Sequence, residues 1–218
     1  MVYITSHEQA EHLIECAKRF NVVLIPFGGG TNVTESLMLN PEEKRSIVSV
    51  DMTRMNKIKW VDKSNMMACI EAGIIGKDME KELSKFGVMC GHEPDSVEFS
   101  SLGGWVSTRA SGMKKNKYGN IDDIIVSIKI ATPIGTFQKN QNCPRVSSGP
   151  DIHEFILGHE GNFGIITECI VKVRPIPEKK VYESVLFHDF EVGIKFMYDS
   201  TCVSIKCLRR VFGPQVSV

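Results

Sequence analysis

The sequence has no long apolar run. A membrane-spanning helix needs about 20 consecutive apolar residues, and no signal-peptide pattern opens the chain, so a soluble protein is expected. It also lacks a surplus of either charge. Lys and Arg number 26, Asp and Glu number 26, and the formal net charge is +0. That balance argues against a general binder of nucleic acid or of anionic membranes; the densest basic run, Lys114 to Lys117, is short. None of the seven cysteines (Cys16, Cys69, Cys90, Cys143, Cys169, Cys202 and Cys207) forms a CxxC pair. Their odd number and scattered spacing point to reduced thiols in an intracellular compartment rather than a disulfide framework.

Several catalytic signatures are missing too. There is no GxSxG elbow, and no Cys–His pair marks a nucleophile. "HEFILGH" places its second histidine, His159, two residues too late for HExxH, so His153 and His159 cannot share a helical face and no metal site is expected. "IPFGGGTNV", Ile25 to Val33, fails as a Rossmann fingerprint because position 33 is Val, and no GK[ST] completes a Walker A loop. The NVT sequon at Asn32 to Thr34 falls inside this stretch and is read as a chance match.

What is present is glycine in clusters. Gly28 to Gly30 follow a short apolar strand pattern, Val22 to Pro26. Gly103, Gly104 and Gly112 lie among Ser107, Thr108, Ala110 and Ser111, and Gly158, Gly161 and Gly164 recur at three-residue spacing. One such stretch is open to an anion nest of backbone N–H groups or to a tight turn, though a turn alone rarely needs three glycines. Three in one chain suggest a long, flat ligand laid against main chain. Arg109, flanked by small residues, is a candidate for holding an anion, with an ordinary salt bridge as the alternative. His92, Glu93, Asp95 and Glu98 form either an acid–base group or a polar loop. His7, His12 and His188 are expected at the surface.

At 218 residues the chain is long enough for one large or two small domains. Ser6 and Gln9 read as a capping box before a helix carrying Ala10, Leu13, Ile14, Ala17 and Phe20. Strands are expected at Ser46 to Asp51 and Met66 to Ala72. A helix is expected from Gly76, with Met79, Leu83 and Phe86 on one face and Gly87 at its end. Ile124, Val126, Ile128 and Ile130 alternate as a half-buried strand, turned back at Pro133 and Gly135. A short helix begins at Pro150. Ile165, Thr167, Cys169, Val171 and Val173 share one face of a last strand. Helices among mixed strands favour α+β over a doubly wound sheet, and Pro175 to Lys180 reads as a boundary.

Four stretches together resemble a known family: "PFGGGTN", "GHEPDSVEFSSLGGWVSTRASGMKKNKYGNIDDI", "PRVSSGPDIHEFILGHEGNFGIITE" and "KVRPIPE". They are similar to the alkyldihydroxyacetonephosphate synthases, within the vanillyl-alcohol-oxidase-like superfamily with PCMH-type FAD-binding domains. The resemblance implies a two-subdomain α+β domain over residues 1–177, with FAD held non-covalently, and the start of a substrate cap over 178–218. Carried over by motif, the FAD residues are Pro26, Phe27, Gly28, Gly29, Gly30, Thr31 and Asn32 at the pyrophosphate. Asp95, Ser96, Val97, Glu98, Phe99, Ser100 and Ser101 form the second segment. Thr108, Arg109, Ala110 and Ser111 lie near the isoalloxazine. Glu160, Gly161, Asn162, Phe163, Gly164, Ile165 and Ile166 form the last. Lys206 stands where the family has an arginine for the substrate phosphate.

The implied reaction exchanges the acyl chain of acyl-dihydroxyacetone phosphate for a fatty alcohol, the flavin working without net redox change. The family tyrosine and histidines that act in catalysis have no counterpart here, nor has its N-terminal peroxisomal address. The expectation is a catalytically incomplete fragment or isoform of an ether-lipid enzyme. By family it is peroxisomal, homodimeric and in peripheral contact with membranes. An inactive flavin-binding module and a flavin-dependent 2-hydroxy-acid oxidoreductase are the alternatives.

Overall fold

In the computed structural model, residues 1–139, 143, 146–147, 149–181 and 184–202 are described. Lys206 and Cys207 lie outside them. The chain divides into two compact units, Met1–Ile176 and Pro177–Val218.

The first unit carries β1 (Val2–Tyr3), α1 (His7–Phe20), β2 (Val23–Phe27), β3 (Ile47–Asp51), β4 (Ile58–Asp62), β5 (Met67–Glu71), α2 (Gly76–Ser84) and β6 (Val88–Met89). It continues with α3 (Leu102–Ser107), α4 (Lys115–Tyr118), α5 (Ile121–Ile124), β7 (Ile125–Thr132), β8 (Gly135–Phe137), α6 (Ile152–Ile156), β9 (Ile165–Lys172) and β10 (Arg174–Pro175). A small parallel sheet has the order β1-β3-β2, and an antiparallel sheet has the order β4-β5-β9-β7-β8. A third, two-stranded antiparallel sheet pairs β10 with β6. Parallel and antiparallel sheets mixed with helices make the α+β fold. In the second unit the described element is α7 (Phe190–Cys202). No helix among the described residues is long and apolar enough to cross a membrane.

Local chemistry sets α1. Ser6 is extended and its side chain accepts from the Gln9 N–H. The reciprocal half of the expected capping box is absent, because Gln9 Oε1 accepts instead from the Thr5 N–H at 2.7 Å. Asn21 ends the helix in the left-handed conformation, φ 53°. We expect Ser6→Ala to lower unfolding free energy by about 1 kcal/mol, read from the urea midpoint. An unchanged midpoint would mean that the Gln9–Thr5 bond alone secures the helix start.

Ala10 and Ile14 of α1 pack with Ile4, Val50 and Met52 from the small sheet side and with Ala131 and Ile165 of the large sheet. The two sheets therefore share a core. The larger core gathers Ile70, Met79, Leu83, Leu102, Trp105, Ile128 and Val171, among others, between the large sheet and the helices.

Several further sequence expectations change. His7 is buried, not at the surface: its Nδ1 lies 2.7 Å from Thr167 Oγ1 and its Nε2 lies 2.7 Å from Thr136 Oγ1, tying α1 to the large sheet. Residues 125–132 are buried on both faces rather than half-buried. Irregular register at Ile125/Ser127 and at Lys129/Ile130 breaks the alternation. Val126 accordingly joins Met67, Cys69 and Ile170, while Ile128 and Ile130 face the main core. In β9, Cys169 and Val171 enter that core with Ile166; Ile165 turns to the other cluster and Thr167 to His7. Phe86 lies beyond the end of α2 and is 42% exposed, and α6 starts on Asp151, whose side chain accepts from the His153 N–H, with Pro150 outside it. Ile124, read as the first residue of the alternating strand, instead ends α5, and the pattern also left β1, β4, β6, α3, α4 and α5 undetected.

Candidate functional site

A cavity of about 360 Å³ opens in the first unit where the loops after β2, before and after α3, and before β9 converge. Its walls are Pro26 to Thr34, Ser36 and Leu37; Met52 and Ala72; Pro94, Ser96, Ser100 and Ser101; Gly103 to Trp105, Ser107, Thr108 and Ala110; and Glu160, Gly161 and Ile166.

The bare backbone of the first wall has a steric cause. A Cβ on Gly28 would lie 2.1 Å from Ser101 Oγ, and one on Gly29 would lie 1.9 Å from the Phe99 carbonyl oxygen. At Gly29 main chain runs against main chain, and at Gly28 it runs against the Ser101 side chain, so glycine fits both. The N–H groups of Gly28, Gly29, Gly30, Thr31 and Asn32 donate to no protein acceptor among the described residues. A consecutive run of unsatisfied donors lining a cavity fits an anion such as a pyrophosphate.

The second wall is pinned from below. Gly103 N–H donates to Ala72 O at 2.7 Å, and the Ser101 hydroxyl accepts from Gly104 N–H. Trp105 is nearly fully buried; its Nε1–H donates to Ser100 Oγ at 2.7 Å, and Ser100 Oγ donates to Ser96 O at 2.8 Å. His92 packs edge-on behind Trp105, ring centroids 4.9 Å apart, and burial lowers its pKa to about 4.

The third wall hangs from α3. Gly158 N–H donates to Val106 O at 3.0 Å and Glu160 N–H to Ser107 O at 2.9 Å. His159 organises the rest: Nδ1 accepts from Gly161 N–H at 3.1 Å and from Phe163 N–H at 3.3 Å. Its proton therefore sits on Nε2, and burial brings this pKa to about 4 as well. Thr34 Oγ1 on the first wall donates to Glu160 Oε2 on the third.

The structure thus brings together Pro26 to Asn32, Ser96, Ser100, Ser101, Thr108, Ala110, Glu160, Gly161 and Ile166. Other residues named from the sequence do not line the cavity. Asp95, Glu98 and Phe99 are exposed, although the Phe99 carbonyl buttresses Gly29. Val97 packs against the main core. Arg109 turns its guanidinium to Asp122 at 3.1 Å and Glu154 at 3.5 Å, the salt-bridge alternative. Ser111 Oγ bonds Asn120, Asn162 and Phe163 are exposed, Gly164 abuts the Ala131 carbonyl, and Ile165 is core. The four polar groups of residues 92–98 do not converge, because His92 is buried behind Trp105 and Glu93 pairs with Lys114.

Pattern reading missed Met52, Ala72, Trp105 and Thr34. For Trp105 a signal existed, a lone large aromatic among small residues; Met52 and Ala72 reach the cavity only through the sheet.

Comparison with known proteins agrees with this geometry. A family model described as "FAD binding domain" matches residues 1–140. An alkyldihydroxyacetonephosphate synthase of Caenorhabditis elegans is 50% identical over 90% of this chain and 33% of its own, and one of Dictyostelium discoideum is 43% identical over 96% and 34%. A solved alkyldihydroxyacetonephosphate synthase structure superposes with a TM-score of 0.77 at 46% identity, over 82% of this chain and 32% of that one. This chain spans about a third of the length of the relatives it matches. With three glycine-bearing loops around one cavity and a family match over residues 1–140, the chain belongs to the FAD-binding domain family.

Proposed function

We propose that the chain is the flavin-holding part of an alkylglycerone-phosphate synthase of ether-lipid biosynthesis, whose reaction replaces the acyl chain of acyl-dihydroxyacetone phosphate with a fatty alcohol. The run of unpartnered amides from Gly28 to Asn32 beside small-residue walls carries this reading, together with high identity to the synthases over nine-tenths of the chain. Those amides would hold the FAD pyrophosphate. Ser107, Thr108 and Ala110, with Trp105 behind them, leave room for the ring system. Bound FAD supplies the reactive ring of the reaction. The residues of this chain bind it, orient it and exclude water from one side.

No catalytic residue is assigned within the 218 residues, so in this reading the chain takes up FAD without turning over alone. Peroxisomal location, a homodimer and peripheral membrane contact are parts of the same proposal and rest on the resemblance. The test is the visible spectrum of the purified chain after FAD is added and free flavin is removed by desalting. A retained flavin band is expected, unbleached by lactate or glycolate. A colourless protein would overturn the reading, and bleaching would favour the 2-hydroxy-acid oxidoreductase.

A further inference from the structure

Residues 28–45 join β2 to β3 and form one wall of the cavity through Val33, Thr34, Ser36 and Leu37. Their hydrogen bonds are almost all internal to the segment. Met38 N–H donates to Glu35 O, Glu43 N–H to Asn40 O, the Asn32 amide bonds Ser36, and Arg45 pairs with Glu43. Among the described residues, one hydrogen bond leaves the segment: Thr34 Oγ1 to Glu160 Oε2, across 126 residues of sequence.

The acceptor end is held firmly where the donor end is not. Glu160 has a left-handed backbone, φ 47°, and its N–H is bound to Ser107 O at 2.9 Å. The next turn is gathered onto His159 Nδ1. The carboxylate is thus presented from a fixed loop toward the opposite wall of the cavity.

We propose that the Thr34–Glu160 bond fastens the segment 28–45 as a strap over the bound cofactor, which makes Glu160 and Thr34 positioning residues that set how long FAD stays. The inference rests on the FAD reading of this cavity. Bound pyrophosphate would engage the amides of Gly28 to Asn32 and draw the strap inward; the bond across the mouth then opposes its reopening.

The test is the rate at which FAD leaves on dilution, followed by recovery of flavin fluorescence. Thr34→Val removes the donor and should speed release about fivefold, the effect of losing one hydrogen bond to a charged acceptor at a solvent-facing site. Thr34→Ser keeps the hydroxyl and should release close to the wild-type rate, whereas Glu160→Gln keeps an acceptor but loses its charge, so its release should fall between wild type and Thr34→Val. Trypsin gives a second readout at Lys44 and Arg45 within the strap, with cleavage faster in Thr34→Val than in wild type. Equal release and equal cleavage for Thr34→Val and wild type would overturn the strap, as would Thr34→Ser behaving like Thr34→Val. If the wild-type chain takes up no FAD, the cofactor reading fails instead, and trypsin cleavage of the flavin-free proteins still decides whether the bond closes the segment.

Discussion

Gly29→Ala leaves the chain colourless after desalting, at FAD concentrations that saturate the wild type. The added Cβ would sit 1.9 Å from the Phe99 oxygen, 2.7 Å from its carbonyl carbon and 2.9 Å from the Ser100 Cα. All three are main-chain atoms, so no side-chain rotation relieves the clash. Either the glycine loop or the turn carrying residues 96–101 must retreat, and both are cavity walls. Forcing extra volume into packed structure costs about 1–3 kcal/mol. If that cost falls wholly on the cofactor-bound geometry, affinity drops by up to about a hundredfold. Phe99→Ala is the control. It deletes a side chain that is 67% exposed but keeps the carbonyl, so FAD uptake should persist. A Gly29→Ala chain that retains one flavin per protein would show that the two loops do not meet as described.

The second large effect is loss of stability in mild acid. Burial lowers the pKa values of His92, His153 and His159 to about 4, each from an ordinary value near 6.5. Burial and Lys129 lower His7 too. The partners fix the neutral forms: His153 Nε2 accepts from Ile128 N–H at 3.2 Å, and His159 Nδ1 accepts from two amides.

Below pH 6.5 the unfolded chain binds protons that the folded chain refuses. The unfolded state therefore gains as pH falls, and the loss continues down to the folded pKa near 4. Each such histidine contributes a slope of up to about 1.4 kcal/mol per pH unit within that window. Unfolding free energy from urea titrations should be flat above pH 7 and fall steeply between pH 6 and 4.5. His153→Gln keeps an acceptor for Ile128 and removes one of the four titrating groups, so its slope should be about a quarter to a third shallower. A wild-type free energy that does not change from pH 7 to pH 5 would rule out buried neutral histidines as the cause of acid lability.

These histidines mark the limit of what could be read from sequence. "HEFILGH" excluded a zinc motif by spacing alone, but nothing in it shows that His153 and His159 each serve as acceptors for backbone amides. That role depends on where β7 and the loop after α6 come to lie. His7 is a sharper case. Near the chain start, in a polar helix turn, it reads as a surface residue; packing of α1 on the large sheet buries it between two threonine hydroxyls.

Much of the fold was legible because its signals are local. The Ser6 cap, the apolar spacing of α1, the glycine past α2 and the turn at Gly135 each depend on neighbours within a few residues. β4 and α3 were not. α3 has two glycines in its interior, and what holds it is the Ser101 cap, the bonds from Leu102 to Ile74 and from Gly103 to Ala72, and the burial of Leu102, Trp105 and Val106 in the main core.

For the site, three small-residue loops, one of them with three consecutive glycines, are legible in one dimension because composition alone displays them. Why Gly28 and Gly29 must be bare is not, because the atoms that demand it belong to Ser101 and Phe99, distant in sequence. Tertiary structure alone decided that these loops face one cavity, that Trp105 backs it, that Arg109 turns away to Asp122, and that Thr34 meets Glu160. Such contacts join residues 13 to 126 positions apart, and no local rule of propensity or periodicity reaches that far.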